Sequence, residues 1–126
     1  MRDRPNPGER GDAPLSGLES DDETDLEKWV RCAACGAGLA PEKARIAIGG
    51  AHEHEFMNPA GIRFRVACFA SAQGTTADGE RSKVWTWFPG HAWQIALCRA
   101  CGAHVGWSFH ADSGVSFWGL VVDRIR

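Results

Sequence analysis

Two copies of one short pattern constrain this chain more than any other feature: Cys32-Ala33-Ala34-Cys35-Gly36, and, far along the chain, Cys98-Arg99-Ala100-Cys101-Gly102. A Cys-x-x-Cys turn lets two thiolates reach one ion, and the glycine after it can take the positive φ that turns backbone N–H groups towards sulfur. Two such knuckles complete a tetrahedron. The long interval between them means that a single ion ties the start of a domain to its late strands. Four thiolates leave no open position, so the spacing predicts a structural zinc that cannot activate water, with rubredoxin-like iron as the smaller rival. Two unrelated redox or surface pairs would require the same pattern to arise twice without common cause. In a reducing compartment, closely spaced pairs hold metal in preference to forming disulfides. Cys68 is left over, and its place beside Ile62, Phe64 and Val66 predicts a buried, inert thiol. His52 and His54 form a His-x-His pair that is surplus to a four-cysteine site and reads as solvated loop histidines.

At 126 residues the chain suits one compact domain. Its net charge of −2 gives no global argument for a nucleic-acid or membrane partner. Met1 to Lys28 carries nine acids against four bases, whereas the remainder has ten bases against seven acids. That first segment is rich in Pro, Gly, Asp, Glu and Ser, with Leu15, Leu18 and Leu26 as its sizeable aliphatics. Burial there cannot offset the entropy of ordering, so residues 1–28 read as a disordered acidic tail and 29–126 as the domain. A short helical turn is expected over Asp21 to Trp29. No stretch approaches the roughly 18 apolar residues of a membrane span, and the N-terminus lacks the apolar core of a signal peptide. The cytoplasm is the default compartment and a monomer the simplest expectation.

From Val30 onward the hydrophobic period is two, the signature of strands. Ile46 and Ile48 alternate ahead of Gly49-Gly50. Ile62, Phe64, Val66 and Cys68 fall on one face, with Arg63, Arg65, Ala67 and Phe69 on the other. Gln73 to Ser82 reads as a polar, glycine-containing loop. Trp85 and Trp87 project together, Phe88-Pro89-Gly90-His91 makes a turn, and Trp93, Ile95 and Leu97 share a side. Val105, Trp107 and Phe109 align, and Phe117 to Val122 closes the set. No amphipathic helix longer than two turns is expected, so the fold class is antiparallel all-β with seven or eight short strands.

Six tryptophans with no tyrosine is a skew that needs a reason. Trp87 and Trp93 flank one hairpin turn, and the second knuckle returns the chain so that Trp107 can join them. Three indole faces meeting at right angles make a box, suited to an organic cation or to a compact neutral ring with acidified C–H edges. Clustering around a Pro-Gly turn favours a receptacle over ordinary core.

Trp87-Phe88-Pro89-Gly90-x-Ala92-Trp93, the two knuckles, Gly106-Trp107-x-Phe109, Asn58-Pro59-x-Gly61 and Phe117-Trp118-Gly119-Leu120 together resemble the thalidomide-binding (CULT) domain family of cereblon, and in particular its stand-alone bacterial versions. The resemblance runs from about Val30 to Arg124. It implies a β-tent, two antiparallel sheets pinned at one end by zinc on Cys32, Cys35, Cys98 and Cys101. It further implies a cage in which Trp87, Trp93 and Trp107 wall a glutarimide ring and Phe109 closes the base. Backbone groups near Trp85 and Trp87 would pair with the imide, while Asn58 and Pro59 would border the opening. Trp85 and His91 depart from the family's usual residues, the latter at the rim. Uracil has the same acceptor–donor–acceptor edge as an imide, so uridine-like compounds are expected as weaker ligands. So small a ring implies affinity near micromolar, about 8 kcal/mol.

Three rivals are weighed against a non-catalytic imide binder. A methionine sulfoxide reductase of the B type also carries two Cys-x-x-Cys pairs, but needs a reactive cysteine on a late strand, and none follows Cys101. A quaternary-ammonium cage usually adds a carboxylate, and Trp85 to Phe109 contains no Asp or Glu. A base-stacking nucleic-acid module would interleave basic residues with the tryptophans, and no such stripe is present. A chain of this length has no room for the further domains of a ubiquitin ligase receptor, so no ligase assembly is expected.

Overall fold

A computed structural model describes residues 28–126. The expectations for the acidic tail and for the turn from Asp21 lie outside the described residues except at their end, where Trp29 already stands in a strand. Eight strands follow in order: β1 Trp29–Arg31, β2 Gly38–Pro41, β3 Glu53–Met57, β4 Arg63–Phe69, β5 Thr75–Ser82, β6 His91–Cys98, β7 His104–Ala111 and β8 Ser116–Val121. The only helical elements among the described residues are two single 3-10 turns, Glu42–Ala44 and Val122–Arg124. The chain is all-β in two antiparallel sheets, β1–β2 and a six-stranded sheet in the order β3-β4-β8-β7-β6-β5.

Alternation within the large sheet supplies two cores, one on each face. Ala67, Phe69 and Leu120 point to one side, where Val30, Leu39 and Ala40 of the small sheet pack on them. Cys68, Phe109 and Phe117 point to the other, with Phe88 against them. The end of the chain closes the join between the sheets: Arg31 N–H donates to Arg126 O at 2.7 Å, Arg126 N–H returns to Arg31 O at 2.8 Å, and Cys32 bridges to Ile125.

Several local expectations are corrected. Ile46 and Ile48 sit beside isolated bridges at Arg45–Phe69 and Ile48–Ala51, not in a strand. Ile62 precedes β4 and is exposed. Gln73 to Ser82 is largely β5, an edge strand of the large sheet. Beyond Thr75 it is exposed on both faces until Ser82, so no alternation marks it in the sequence. Val105 does not share the face of Trp107 and Phe109. The β6–β7 register shifts between Ala96 and Leu97, and the bulge turns Val105 into the opposite core. Trp85 and Trp87 lie on the loop between β5 and β6 and not on a strand.

Candidate functional site

The four knuckle cysteines converge as a group whose sulfurs all lie within 4.8 Å of one another. Cys32 Sγ is 3.8 Å from Cys101 Sγ, and Cys35 Sγ is 3.7 Å from Cys98 Sγ. A tetrahedron with metal–sulfur bonds of about 2.3 Å has edges of about 3.8 Å, so the donors match a single ion. The two knuckles are near copies. Gly36 N–H donates to Cys32 O at 2.7 Å and Gly102 N–H to Cys98 O at 2.8 Å. Cys32 N–H reaches Ala37 O at 2.8 Å, Cys98 N–H reaches Ala103 O at 2.7 Å, and both glycines have φ of 82°. Each knuckle contributes one buried and one exposed cysteine.

Protonation favours the same conclusion. Burial works against a Cys98 thiolate, but N–H groups of Cys101 and Ala100 and the neighbouring thiols bring it down to about 7. Ala103 N–H favours a thiolate at Cys101, yet desolvation and the sulfurs of Cys35, Cys98 and Cys32 push that group up to about 11. Four thiols this close cannot all ionise without a cation among them. Cys68, apart from the cluster, is raised to about 11 by burial, which leaves it unreactive.

On the opposite face of the large sheet, Asn58, Pro59, Val84, Trp85, Trp87, Trp93, Ile95, Trp107 and Phe109 line a cavity of about 310 Å³. All seven residues singled out from the sequence are therefore brought together. Register explains the strand contribution. Trp93 pairs with Phe109 and Ile95 with Trp107, so Trp93 and Trp107 are diagonal neighbours on one face, about 7–8 Å apart in such a ladder. Across β8, Trp107 pairs with Gly119, whose missing side chain leaves room for the Phe109 ring and Val66. Phe109, 1% exposed, forms the floor against Phe88 and Phe117.

The third wall comes from the loop. Trp87 and Trp107 meet edge to face, with centroids 4.8 Å apart and planes at 73°. Phe56 backs Trp87, stacked at 4.9 Å, and Phe64 and His104 brace Trp107 at 5.3 and 4.8 Å. Trp93 stands off from both other indoles, which keeps the space open. The indole N–H groups are directed into the protein: Trp85 and Trp87 both donate to Met57 O, at 3.1 and 3.2 Å, and Trp93 donates to Val84 O at 2.7 Å. Thr86 Oγ1 fixes the loop by donating to His91 O at 2.8 Å.

Asn58 and Pro59 belong to the tight connection between β3 and β4. Asn58 Oδ1 accepts from Ile62 N–H at 2.9 Å, so its side chain shapes that turn as well as bordering the cavity. Trp85 has φ of 57°, alone in the left-handed region among the described non-glycine residues. His91 packs edge-on against Phe117 and does not line the cavity.

The two loop histidines are corrected. His54 stacks on Phe56 and meets Phe88 edge-on, while His52 bonds Ile46 O through Nδ1 at 2.8 Å and meets Phe69 edge-on. Both are half-buried structural groups. Sequence reasoning missed Val84 and Ile95 as lining residues and Phe56, Phe64 and His104 as supports. Only Ile95 carried a signal, its two-residue offset from Trp93.

No family model matches the chain. Curated proteins do. Its C-terminal half is similar to cereblon. Cereblon of Gallus gallus is 41% identical over 69 residues, covering 52% of this chain and 16% of the relative. Cereblon of Danio rerio is 39% identical over the same length and shares. Cereblon of Drosophila melanogaster is 54% identical over 52 residues, 38% of this chain and 9% of the relative. The chain thus spans about a sixth, or less, of the cereblon chains it matches. The C-terminal half is the part that carries Cys98, Cys101 and the three wall tryptophans, and the similarity is consistent with a CULT-like domain of the cereblon type.

Proposed function

We propose that the tryptophan-lined cavity is a non-catalytic binding site for a small neutral cyclic imide, with glutarimide as the reference ligand, and that the cysteine cluster holds a structural zinc. The observation that carries this reading is the orientation of the indoles. Trp87 and Trp93 spend their N–H groups on the protein's own carbonyls, so they offer the cavity flat apolar faces and no further donors. Among the described residues, no ionisable side chain lines the space. A charged ligand would lose hydration there without a counter-charge, whereas a neutral ring with polarised C–H edges would not.

Polar recognition falls to the backbone. The N–H and C=O groups of Trp85 and Trp87 form no hydrogen bond among the described residues, leaving donor and acceptor sites on the loop beside the cavity. An imide presents acceptor, donor and acceptor in a row, the pattern that such a segment can satisfy. Each bond adds only about 1 kcal/mol net, but a missing partner in a dry pocket costs more, so the edge pattern sets selectivity. The buried Cys68 does not line the cavity, and the cysteine cluster leaves no coordination position for a substrate. The reading is accordingly one of binding, in a cytoplasmic setting.

Tryptophan fluorescence of the zinc-loaded chain, titrated in parallel with glutarimide, succinimide, uridine and tetramethylammonium, tests it. Glutarimide is expected to give a saturable change near micromolar concentration, with uridine weaker. A response to tetramethylammonium with none to glutarimide would overturn the imide reading in favour of a cation cage.

A further inference from the structure

The reverse face of the same sheet carries a second hollow. The small sheet and residues 70–74 cover the end of that face nearest the cysteines, and beyond them a cavity of about 390 Å³ remains. Register places Gln94, Ser108 and Trp118 side by side across β6, β7 and β8, with His110 next along β7. Arg81 and Arg99 also line it, and no Asp or Glu takes part among the described residues.

The floor is neutral and internally satisfied. Ser108, 4% exposed, donates to Gln94 O at 3.5 Å, and His110 is hydrogen-bonded on both ring nitrogens, Nε2 to Ser108 Oγ at 2.8 Å and Nδ1 to Ser116 Oγ at 2.8 Å. Burial first, and then Arg81 and His91, hold the His110 pKa below its usual value.

The rim is cationic. Arg99 donates through Nε to Gln73 O at 3.3 Å and through Nη2 to Thr75 O at 3.0 Å, which fixes its guanidinium plane and leaves Nη1 unused. Arg81 forms neither an ion pair nor a hydrogen bond among the described residues, although acids elsewhere are paired with Arg45, Arg65 and Lys83. Trp118 is half-buried against the first core and lines the hollow with its remaining surface. A fixed guanidinium and a free one suit an oxyanion, which takes paired N–H donors. The indole and the volume suit a ring attached to it.

We propose that this hollow is a second binding site, separate from the tryptophan cage, for a planar organic oxyanion whose ring lies against Trp118 and whose phosphate or carboxylate is engaged by Arg81 and Arg99. The two sites occupy opposite faces of one sheet, so a single chain can hold a neutral ring and an anionic ring at once.

The test is a heteronuclear NMR titration of the zinc-loaded full chain with phenyl phosphate, benzoate and phenol. Phenyl phosphate or benzoate is expected to shift the Trp118 indole and His110 resonances saturably while those of Trp87, Trp93 and Trp107 stay in place. Either anion supports the site, and the tighter one names the oxyanion. Arg81→Gln, which removes a side chain with no structural bond, is expected to weaken that response by about tenfold or more while keeping the dispersed spectrum of the folded chain. Equal binding of phenol, an unchanged response in Arg81→Gln, or shifts confined to the cage indoles would overturn the proposal. None of these outcomes depends on whether the cage takes an imide.

Discussion

Residues of similar chemistry around the cage answer to different forces. Phe109 is fully buried against two aromatic neighbours, Phe88 and Phe117, so Phe109→Ala is expected to cost about 3–5 kcal/mol of folding stability, read as a lowered midpoint in chemical denaturation. Trp93 is half-buried and tied by one hydrogen bond, so Trp93→Ala is expected to leave a cooperative melt and abolish the glutarimide response. Equal loss of stability in both variants would return Trp93 to the core. His104 introduces a pH dependence. Burial, aided by Arg124 and opposed by Gly106 O, holds its pKa below 6.5 in the fold. The unfolded chain therefore takes up this proton first, so the contribution is fully present above pH 6.5 and is lost as pH falls through the folded value. Denaturation midpoints compared with those of His104→Gln should diverge above pH 6.5 and converge under acid, the thiolate contribution cancelling in the difference. The tryptophans were legible because large aromatics at a turn are rare. Their supports were not, since Phe56 and Phe64 look like any strand residues until register sets them behind an indole.

At the scale of elements, β7 is one of the two middle strands of the large sheet and contributes to the cores on both faces. Its bulge at Val105 and its glycine at 106 allow it to approach β8 closely: a Cβ built on Gly106 would stand 2.1 Å from Gly119 O and 2.9 Å from the Leu120 Cα. Main-chain atoms cannot yield as a side-chain tip can. Gly106→Ala is expected to push the strands apart and prevent a folded, zinc-retaining product, measured as loss of near-ultraviolet circular dichroism and of bound metal. Strands such as β4 and β8 were readable because one or both faces are buried. β5 was not, because an exposed edge leaves hydrophobic period without meaning, and a one-residue bulge reverses every alternation beyond it. The second hollow was invisible for a related reason: Arg81 and Arg99 are unremarkable until pairing sets them around the same three strands.

For the whole molecule, the cysteine cluster joins the knuckle after β1 to the turn between β6 and β7, closing a loop that contains most of the domain. A structural zinc in such a position contributes on the order of 10 kcal/mol, comparable to the total stability of a domain of this size. Chelation at neutral pH is expected to unfold the chain and release one equivalent of zinc, followed by metal analysis beside a thermal melt. A metal-free sample with an unchanged cooperative transition would contradict the clasp. This long-range tie was the most legible feature of all, because spacing alone carries it. Met57 O was among the least legible, yet it receives the indole N–H groups of both Trp85 and Trp87 and so sets where the loop wall stands relative to β3. That acceptor belongs to the main chain and is present whatever amino acid occupies the position. Side-chain scanning would therefore score residue 57 as indifferent, and a map of the receptacle drawn from substitutions alone would omit the atom on which two of its panels hang.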